Sequence, residues 1–177
     1  MTDKRSFCIH AHFYQPTRED PFTGKIPDEP GAAPYANWNE RILATCYQPN
    51  AKERNFSELS FNIGPTLTKW MSEHAPEVLE QIVREDRLNE TLYGAGNAIA
   101  QPYHHTILPL AKFEDKRTQI VWGIQAFKHV FGRDPQGLWL PETAVDKETL
   151  RILAENGITF TILAPWQIRD GEGESPY

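Results

Sequence analysis

A carboxylate and a tryptophan occur close together in the stretch Gly-Leu-Trp-Leu-Pro-Glu that ends at Glu142. Read as a short apolar β-strand, the stretch predicts Glu142 on the same side as Leu138 and Leu140, because side chains alternate along a strand. Pro141 suits the end of a strand better than its middle. Catalytic groups gather where the strands of α/β folds end, and Trp139 offers a flat apolar ring. Glu142 is thus a candidate catalytic carboxylate; a helix-capping or solvated Glu is the alternative.

Two histidines occupy alternate positions near the N-terminus, His10 and His12. Residues 6–13 predict a first strand with both imidazoles on one face and four apolar side chains on the other. A buried imidazole needs hydrogen-bond partners, so two in register indicate a site more readily than packing does. The strand leads directly into a turn that contains Gln15.

Residues 94–105 are rich in small and hydrogen-bonding side chains, including Asn97, His104 and His105. The Gly94-x-Gly96 pair lacks the third glycine of a phosphate-binding loop, so we give it no phosphate role. A loop whose polar groups satisfy one another is the simplest interpretation. The density of ring nitrogens favours ligand contact.

Composition narrows the class of protein. The chain has 177 residues, a hydrophobic content of 40% and a formal net charge of -6. Without a basic cluster it is a poor partner for nucleic acid, and no apolar run reaches the roughly 18 residues of a transmembrane helix. The N-terminus lacks an apolar signal core, so we interpret the protein as cytoplasmic. The cysteines, Cys8 and Cys46, fit reduced thiols rather than a disulfide or thiolate metal site.

Strand-like segments alternate with helical ones, which predicts an α/β fold with a mostly parallel sheet of about five strands. A closed eight-fold barrel needs roughly 250 residues, so the chain resembles the front part of a barrel. Residues 17–37 predict a long loop of functional interest, and residues 167–177 a loop or tail. Strands are expected at 6–13, 58–63, near 94–105, at 137–142 and 158–163, and helices from Asn37 or Asn39 to about Tyr47, from Pro65, after Pro76, over 114–131 and over 146–156.

Three stretches resemble the first three ordered sequence regions of glycoside hydrolase family 57, a family of α-amylases, 4-α-glucanotransferases and branching enzymes. These are His10-Ala-His12-Phe-Tyr-Gln15-Pro16, Gly96-Asn97 with its His-rich sequel, and Gly137-Leu-Trp139-Leu-Pro-Glu142. The resemblance implies an incomplete (β/α)7 barrel, of which residues 1–177 would be the N-terminal portion. It also implies a carbohydrate substrate and no metal or cofactor.

By the same resemblance, Glu142 would be the nucleophile of a retaining mechanism, and the binding residues would surround the sugar at the point of cleavage. A retaining enzyme also needs a carboxyl group as acid/base. In the family this is an Asp of a fourth region, and we expect it to be missing here and the chain alone to have little turnover. The implied substrate-binding residues are His10, His12, Gln15, Asn97, His104, His105 and Trp139.

Two other functions remain open from the residues. His10 and His12 could begin the metal site of an amidohydrolase-like or deacetylase-like hydrolase, with His104, His105 and Glu142 as further ligands. A non-catalytic carbohydrate-binding module would keep the cleft without the acid.

Overall fold

The computed structural model describes residues 7–168 and divides into two compact units, unit 1 up to Ala98 and unit 2 from Ile99 onward. The described part of the chain contains strands β1 (His10–Phe13), β2 (Ser60–Ile63) and β3 (Ala98–Ile99). Its helices are α1 (Trp38–Ile42), α2 (Gln48–Lys52), α3 (Pro65–His74), α4 (Pro76–Tyr93), α5 (Phe113–Phe131) and α6 (Lys147–Glu155). A π-helical turn, Leu43–Tyr47, joins α1 to α2.

Unit 1 is built on a parallel pair of strands. β1 pairs with β2 so that His10 lies opposite Ser60 and His12 opposite Asn62, and β3 follows β2 in the sheet. Phe56 and Phe61 are almost completely buried and meet edge to face at 5.0 Å between ring centroids. This apolar packing fixes β2, which carries the partners of both histidines.

Helix starts in unit 1 follow the expected chemistry. The Asn37 side chain caps α1 by accepting a hydrogen bond from the Glu40 backbone N–H, and it donates to the Glu40 carboxylate in return. Proline opens α3 and α4, at Pro65 and Pro76, where a missing N–H costs nothing. The long segment before α1 has the 3-10 turn Pro30–Ala32.

In the described part of unit 2, short segments after β3 pair in parallel through isolated bridges. Ala100 bridges to Leu138, and Gly137 bridges to Phe160, both in parallel. Helix α5 ends at Gly132 in the left-handed conformation (φ 72°), as the sequence predicts for a glycine terminator. Helix α6 is capped by the Asp146 side chain, which accepts from the Thr149 backbone N–H.

Three expectations need correction. The five-strand sheet is not confirmed, because within residues 7–168 the segments at 137–142 and 158–163 form single-residue bridges where strands were predicted. The first strand begins at His10 rather than at residue 6, and Phe7 and Ile9 are exposed rather than packed. Glu142 does not share the buried side of Leu138 and Leu140: those two are fully buried, whereas Glu142 is exposed.

The first two corrections concern the extent of strands, and the third concerns the exposure of the Glu142 side chain. Residues Pro141–Thr143 form a 3-10 turn, so strand alternation stops before Glu142. Most of the predicted tail, residues 169–177, lies outside the described residues, as do Met1 to Ser6. Across residues 7–168, none of the helices combines the length and apolar character needed to cross a bilayer. The (β/α)7-type barrel and the cytoplasmic location stay predictions.

Candidate active site

The two histidines of β1 are joined through one asparagine of β2. His10 Nε2 lies 3.1 Å from Asn62 Oδ1, and His12 Nδ1 lies 2.8 Å from Asn62 Nδ2. His10 Nδ1 also meets the Ser60 hydroxyl at 2.8 Å. The parallel register makes this possible, since it sets Ser60 and Asn62 opposite the two imidazoles.

The amide of Asn62 determines which ring nitrogens carry protons. Its oxygen accepts, so His10 donates through Nε2. At His12 Nδ1 the amide nitrogen of Asn62 is the nearer neighbour, at 2.8 Å against 3.2 Å for the amide oxygen, so a neutral His12 ring accepts there and carries its proton on Nε2. Desolvation lowers the pKa of His10 below 6.5 and outweighs the Asn62 hydrogen bond, which raises it. His10 is therefore mainly neutral at pH 7, as suits a hydrogen-bonding group.

Gln15 follows β1 and lies inside a polar network. It is 8% exposed, its amide nitrogen donates to the Tyr47 hydroxyl at 3.2 Å, and its oxygen accepts from Arg18 at 2.9 Å. Burial raises the pKa of Tyr47 to about 12, against the hydrogen bond from Gln15, so the phenol stays protonated. Arg18 continues to the Glu29 carboxylate at 2.7 Å. The network ties the start of the long loop to its later part.

Glu142 lies on a strained turn of unit 2. Glu142 and Thr143 both have a left-handed backbone, with φ of 55° and 53°, which side chains with a Cβ rarely adopt and a β-branched residue hardly ever does. The turn is closed by the Thr143 N–H donating to the Leu140 carbonyl at 2.8 Å, and the Thr143 carbonyl accepts from Gln167 at 2.7 Å. Strain of this kind concentrates at functional sites.

His105 is the imidazole that the structure brings to Glu142. Its Nε2 lies 3.9 Å from Glu142 Oε1, with the His105 side chain 16% exposed and that of Glu142 72% exposed. The carboxylate is thus presented to solvent beside a mostly buried ring.

The remaining candidate residues each have their own contacts in the structure. The Asn97 amide donates to the backbone carbonyls of Phe56 and Ser57, which is a turn-holding role. Trp139 is partly exposed, and its backbone N–H donates to the Ala100 carbonyl at 2.7 Å. His104 contacts a residue of α5, as described below. Substrate contacts for these residues stay predictions.

Sequence reasoning missed two residues with positioning roles. Asn62, fully buried, was treated as part of an ordinary strand; an amide between the apolar residues Phe61 and Ile63 was the available signal. Lys116, on α5, has a side chain only 2% exposed and donates to Asp146 and Glu148, each at 2.8 Å. No pattern in the sequence pairs Lys116 with α6.

The metal-ligand alternative gains no support from the geometry. Within the described range, no group of three or more His, Cys, Asp or Glu side chains is placed so that it could hold one metal ion. His10 and His12 instead have the protein hydrogen bonds described above.

Solved structures define the class of fold. The chain is similar to a 4-α-glucanotransferase from Thermococcus litoralis (TM-score 0.64, 20% identity, covering 90% of this chain and 22% of that one). It is also similar to an α-amylase from Thermotoga maritima (0.65, 16%, 94% and 44%). A third similar structure is a branching enzyme from Thermococcus kodakaraensis (0.63, 19%, 87% and 38%). The chain therefore has the parallel-strand α/β fold of these proteins and spans less than half of their length.

The sequence profile described as glycosyl hydrolase family 57 matches residues 7–164. The chain belongs to this family. Among curated proteins, no significant match was found.

Proposed function

We propose that the chain is part of the catalytic domain of a retaining glycoside hydrolase or transglycosylase that acts on α-glucan, with Glu142 as nucleophile. One observation carries the assignment of the nucleophile: in a family 57 chain, Glu142 is an exposed carboxylate on a left-handed turn, 3.9 Å from His105. The glucanotransferase, amylase and branching enzyme with the same fold support an α-glucan substrate.

The chemistry asks for a carboxylate that is charged and accessible. A Glu142 oxygen attacks the anomeric carbon as the bond to the leaving oxygen breaks and a second carboxyl group, the acid/base, protonates that oxygen; this gives a glycosyl ester of Glu142. Attack of water on that ester releases the sugar with retained configuration, whereas attack by a sugar hydroxyl transfers it, and in both cases the acid/base takes up the proton of the attacking group. His105 lies close enough to Glu142 to orient the carboxylate. The Glu142 side chain is itself exposed and accessible to a ligand.

Sugar recognition is proposed for His10 and His12 of unit 1. Asn62 holds both rings in fixed orientations, and preorganised hydrogen-bonding groups lose little freedom when a ligand binds. His12 also lies nearly parallel to Tyr14, at 6.3 Å between ring centroids. Trp139 is proposed as an apolar wall for a sugar ring.

Covalent trapping tests the nucleophile. 5-Fluoro-α-glucosyl fluoride carries a leaving group that needs no protonation, so the test does not depend on an acid/base residue. We expect the intact mass of the chain to rise by one fluoroglucosyl group, and peptide mapping to place the group on Glu142. Absence of label, or label on another residue, would overturn the assignment.

Matched variants show whether the label reports chemistry. Glu142→Gln keeps the shape of the side chain but lacks the nucleophilic oxygen, so it should take up no label. Glu155→Gln changes another exposed carboxylate of unit 2, paired with Arg151 at 3.6 Å, and should be labelled at the wild-type rate. His105→Ala should slow labelling about tenfold if the ring orients Glu142, since misplaced reactive groups lose rate steeply.

A further inference from the structure

Unit 2 carries a partly exposed group of three rings, Tyr103, His104 and Trp122, here called the Tyr103 cluster. His104 and Trp122 each meet the Tyr103 ring nearly edge to face, with centroid distances of 4.9 Å and 5.9 Å. Trp122 is 54% exposed although it belongs to α5, a helix whose other face is core. The exposed Trp122 ring and the Tyr103 ring packed against it form a continuous aromatic surface that a ligand can contact.

The cluster is fixed by hydrogen bonds to one residue of α5. The Gln119 carbonyl accepts from the Tyr103 backbone N–H at 3.0 Å, and the Gln119 side-chain oxygen accepts from the His104 backbone N–H at 2.8 Å. The Gln119 amide nitrogen lies 3.3 Å from His104 Nδ1. Because that nitrogen donates, Nδ1 of the neutral ring accepts, and the proton of His104 lies on Nε2.

A glycine lets the loop approach the helix closely. At Gly123, next to Trp122, an added Cβ would overlap the Gln101 carbonyl oxygen and lie 2.9 Å from Pro102 Cα. Backbone atoms cannot move aside as a flexible side chain can, so this position requires glycine. The residues just before Tyr103 are therefore held against α5, which adds to the rigidity of the cluster.

We propose that the Tyr103 cluster binds an α-glucan chain at sugar units other than the one that reacts at Glu142. Trp122 supplies an apolar ring for the C–H face of a sugar, and His104 Nε2–H supplies a hydrogen-bond donor for a sugar hydroxyl. A sugar unit has both an apolar face and hydroxyl groups, so it matches the two side chains. The α-glucan ligand is the substrate of the proposed function, on which this inference rests. His104 thus binds glucan in a different place from His105, its neighbour in sequence, which lies beside Glu142.

The test uses maltohexaose and the Glu142→Gln variant, which prevents turnover. In a ¹⁵N-resolved NMR titration, the indole N–H of Trp122, assigned by its loss in Trp122→Ala, should shift with saturation. Trp122→Ala should weaken binding about tenfold, in line with one lost stacking contact, and Trp122→Phe should recover most of it. His104→Ala should weaken it about threefold.

The control for exposed tryptophan is Trp166→Ala, because Trp166 is 83% exposed and has no ring partner among residues 7–168. It should bind like the parent. Binding of maltohexaose without a shift at Trp122, or no binding at all, would overturn the inference. Labelling of Glu142 by the fluoroglucosyl fluoride reports on the proposed function separately: Trp122→Ala should label at the wild-type rate, and a lost label would show that the cluster serves the reacting sugar.

Discussion

The histidines of unit 1 and the carboxylate of unit 2 are positioned in different ways. His10 and His12 receive their orientation from side chains of the neighbouring strand, Asn62 and Ser60, within hydrogen-bond distance. Glu142 is 72% exposed in its side chain and receives its direction from the backbone of a left-handed turn.

The difference fits the role proposed for each group. A ligand-binding imidazole needs a defined tautomer, which only a hydrogen-bond partner can supply. A nucleophilic carboxylate has two equivalent oxygens and needs access to the anomeric carbon more than it needs partners. Substitutions that remove one source of positioning at a time should therefore affect the two units differently.

The largest effect is expected from Asn62→Leu in unit 1. Leucine has a similar volume but neither donor nor acceptor, so partly buried nitrogens of both histidines lose a partner. We expect a loss of about 3 kcal/mol in the free energy of unfolding, measured by urea denaturation. The pKa of His10, already lowered by burial, should fall further, because the Asn62 bond raises it; histidine ring NMR signals measure this.

A second variant sharpens that result. Ser60→Ala removes only one partner of His10 and should cost about 1 kcal/mol. It should leave the ring NMR signals of His12 unchanged. Equal losses in the two variants would contradict the central role given to the Asn62 amide.

The next effect concerns the buried Lys116 of unit 2 and its two carboxylate partners. Lys116→Met should lower the free energy of unfolding by about 2 kcal/mol, since a lysine with a 2% exposed side chain donates charged hydrogen bonds to Asp146 and Glu148. Both carboxylates are partly exposed, so water limits the loss. Label uptake at Glu142 should slow, because Asp146 caps the helix that follows the Glu142 turn.

The pH dependence of the same variant has a defined sign. Burial opposes the charge of Asp146, but hydrogen bonds from Lys116 and Thr149 outweigh it and hold the pKa at about 2. Stability from this carboxylate is therefore fully present above its ordinary pKa of 3.8 and is lost as pH falls toward 2. In Lys116→Met the free energy of unfolding lost between pH 4 and pH 2 should be smaller than in the wild type. An equal loss in both proteins would contradict the role given to Lys116 in lowering the pKa of Asp146.

Local chemistry explains why much of the fold could be predicted from the sequence. Asn37, Pro65, Asp146 and Gly132 act within a turn of their own helix ends, so their roles can be read from adjacent residues. The alternation of His10 and His12 likewise predicts a shared face, and both rings do meet Asn62.

Long-range contacts and backbone conformation could not be predicted in this way. The Lys116 pair joins residues 30 and 32 positions apart, and nothing local marks it. Alternation placed Glu142 with Leu138 and Leu140, but the 3-10 turn at Pro141 overrides the strand pattern. The resemblance implies Gln15 as a binding residue, which stays a prediction, but its amide bonds to Arg18 and Tyr47 could not be predicted from neighbouring residues.

The smallest effect tests whether backbone strain aims Glu142. Thr143→Gly should raise the free energy of unfolding by about 1 kcal/mol, because glycine accepts the φ of 53° that a β-branched residue resists. The relaxed turn should hold Glu142 less firmly, so labelling by the fluoroglucosyl fluoride should slow about tenfold. Urea denaturation and the rate of mass increase give the two quantities.

Arg54→Gly provides the matched control in unit 1, since Arg54 also has a left-handed backbone, with φ of 60°. Relief of its strain should stabilise the chain by a similar or smaller amount, yet leave the labelling rate unchanged, because Arg54 precedes a 3-10 turn that carries no proposed site residue. If both glycine variants gain stability and both label normally, the strain at Thr143 serves the turn alone. If only Thr143→Gly slows labelling, the strained backbone is what directs the carboxylate.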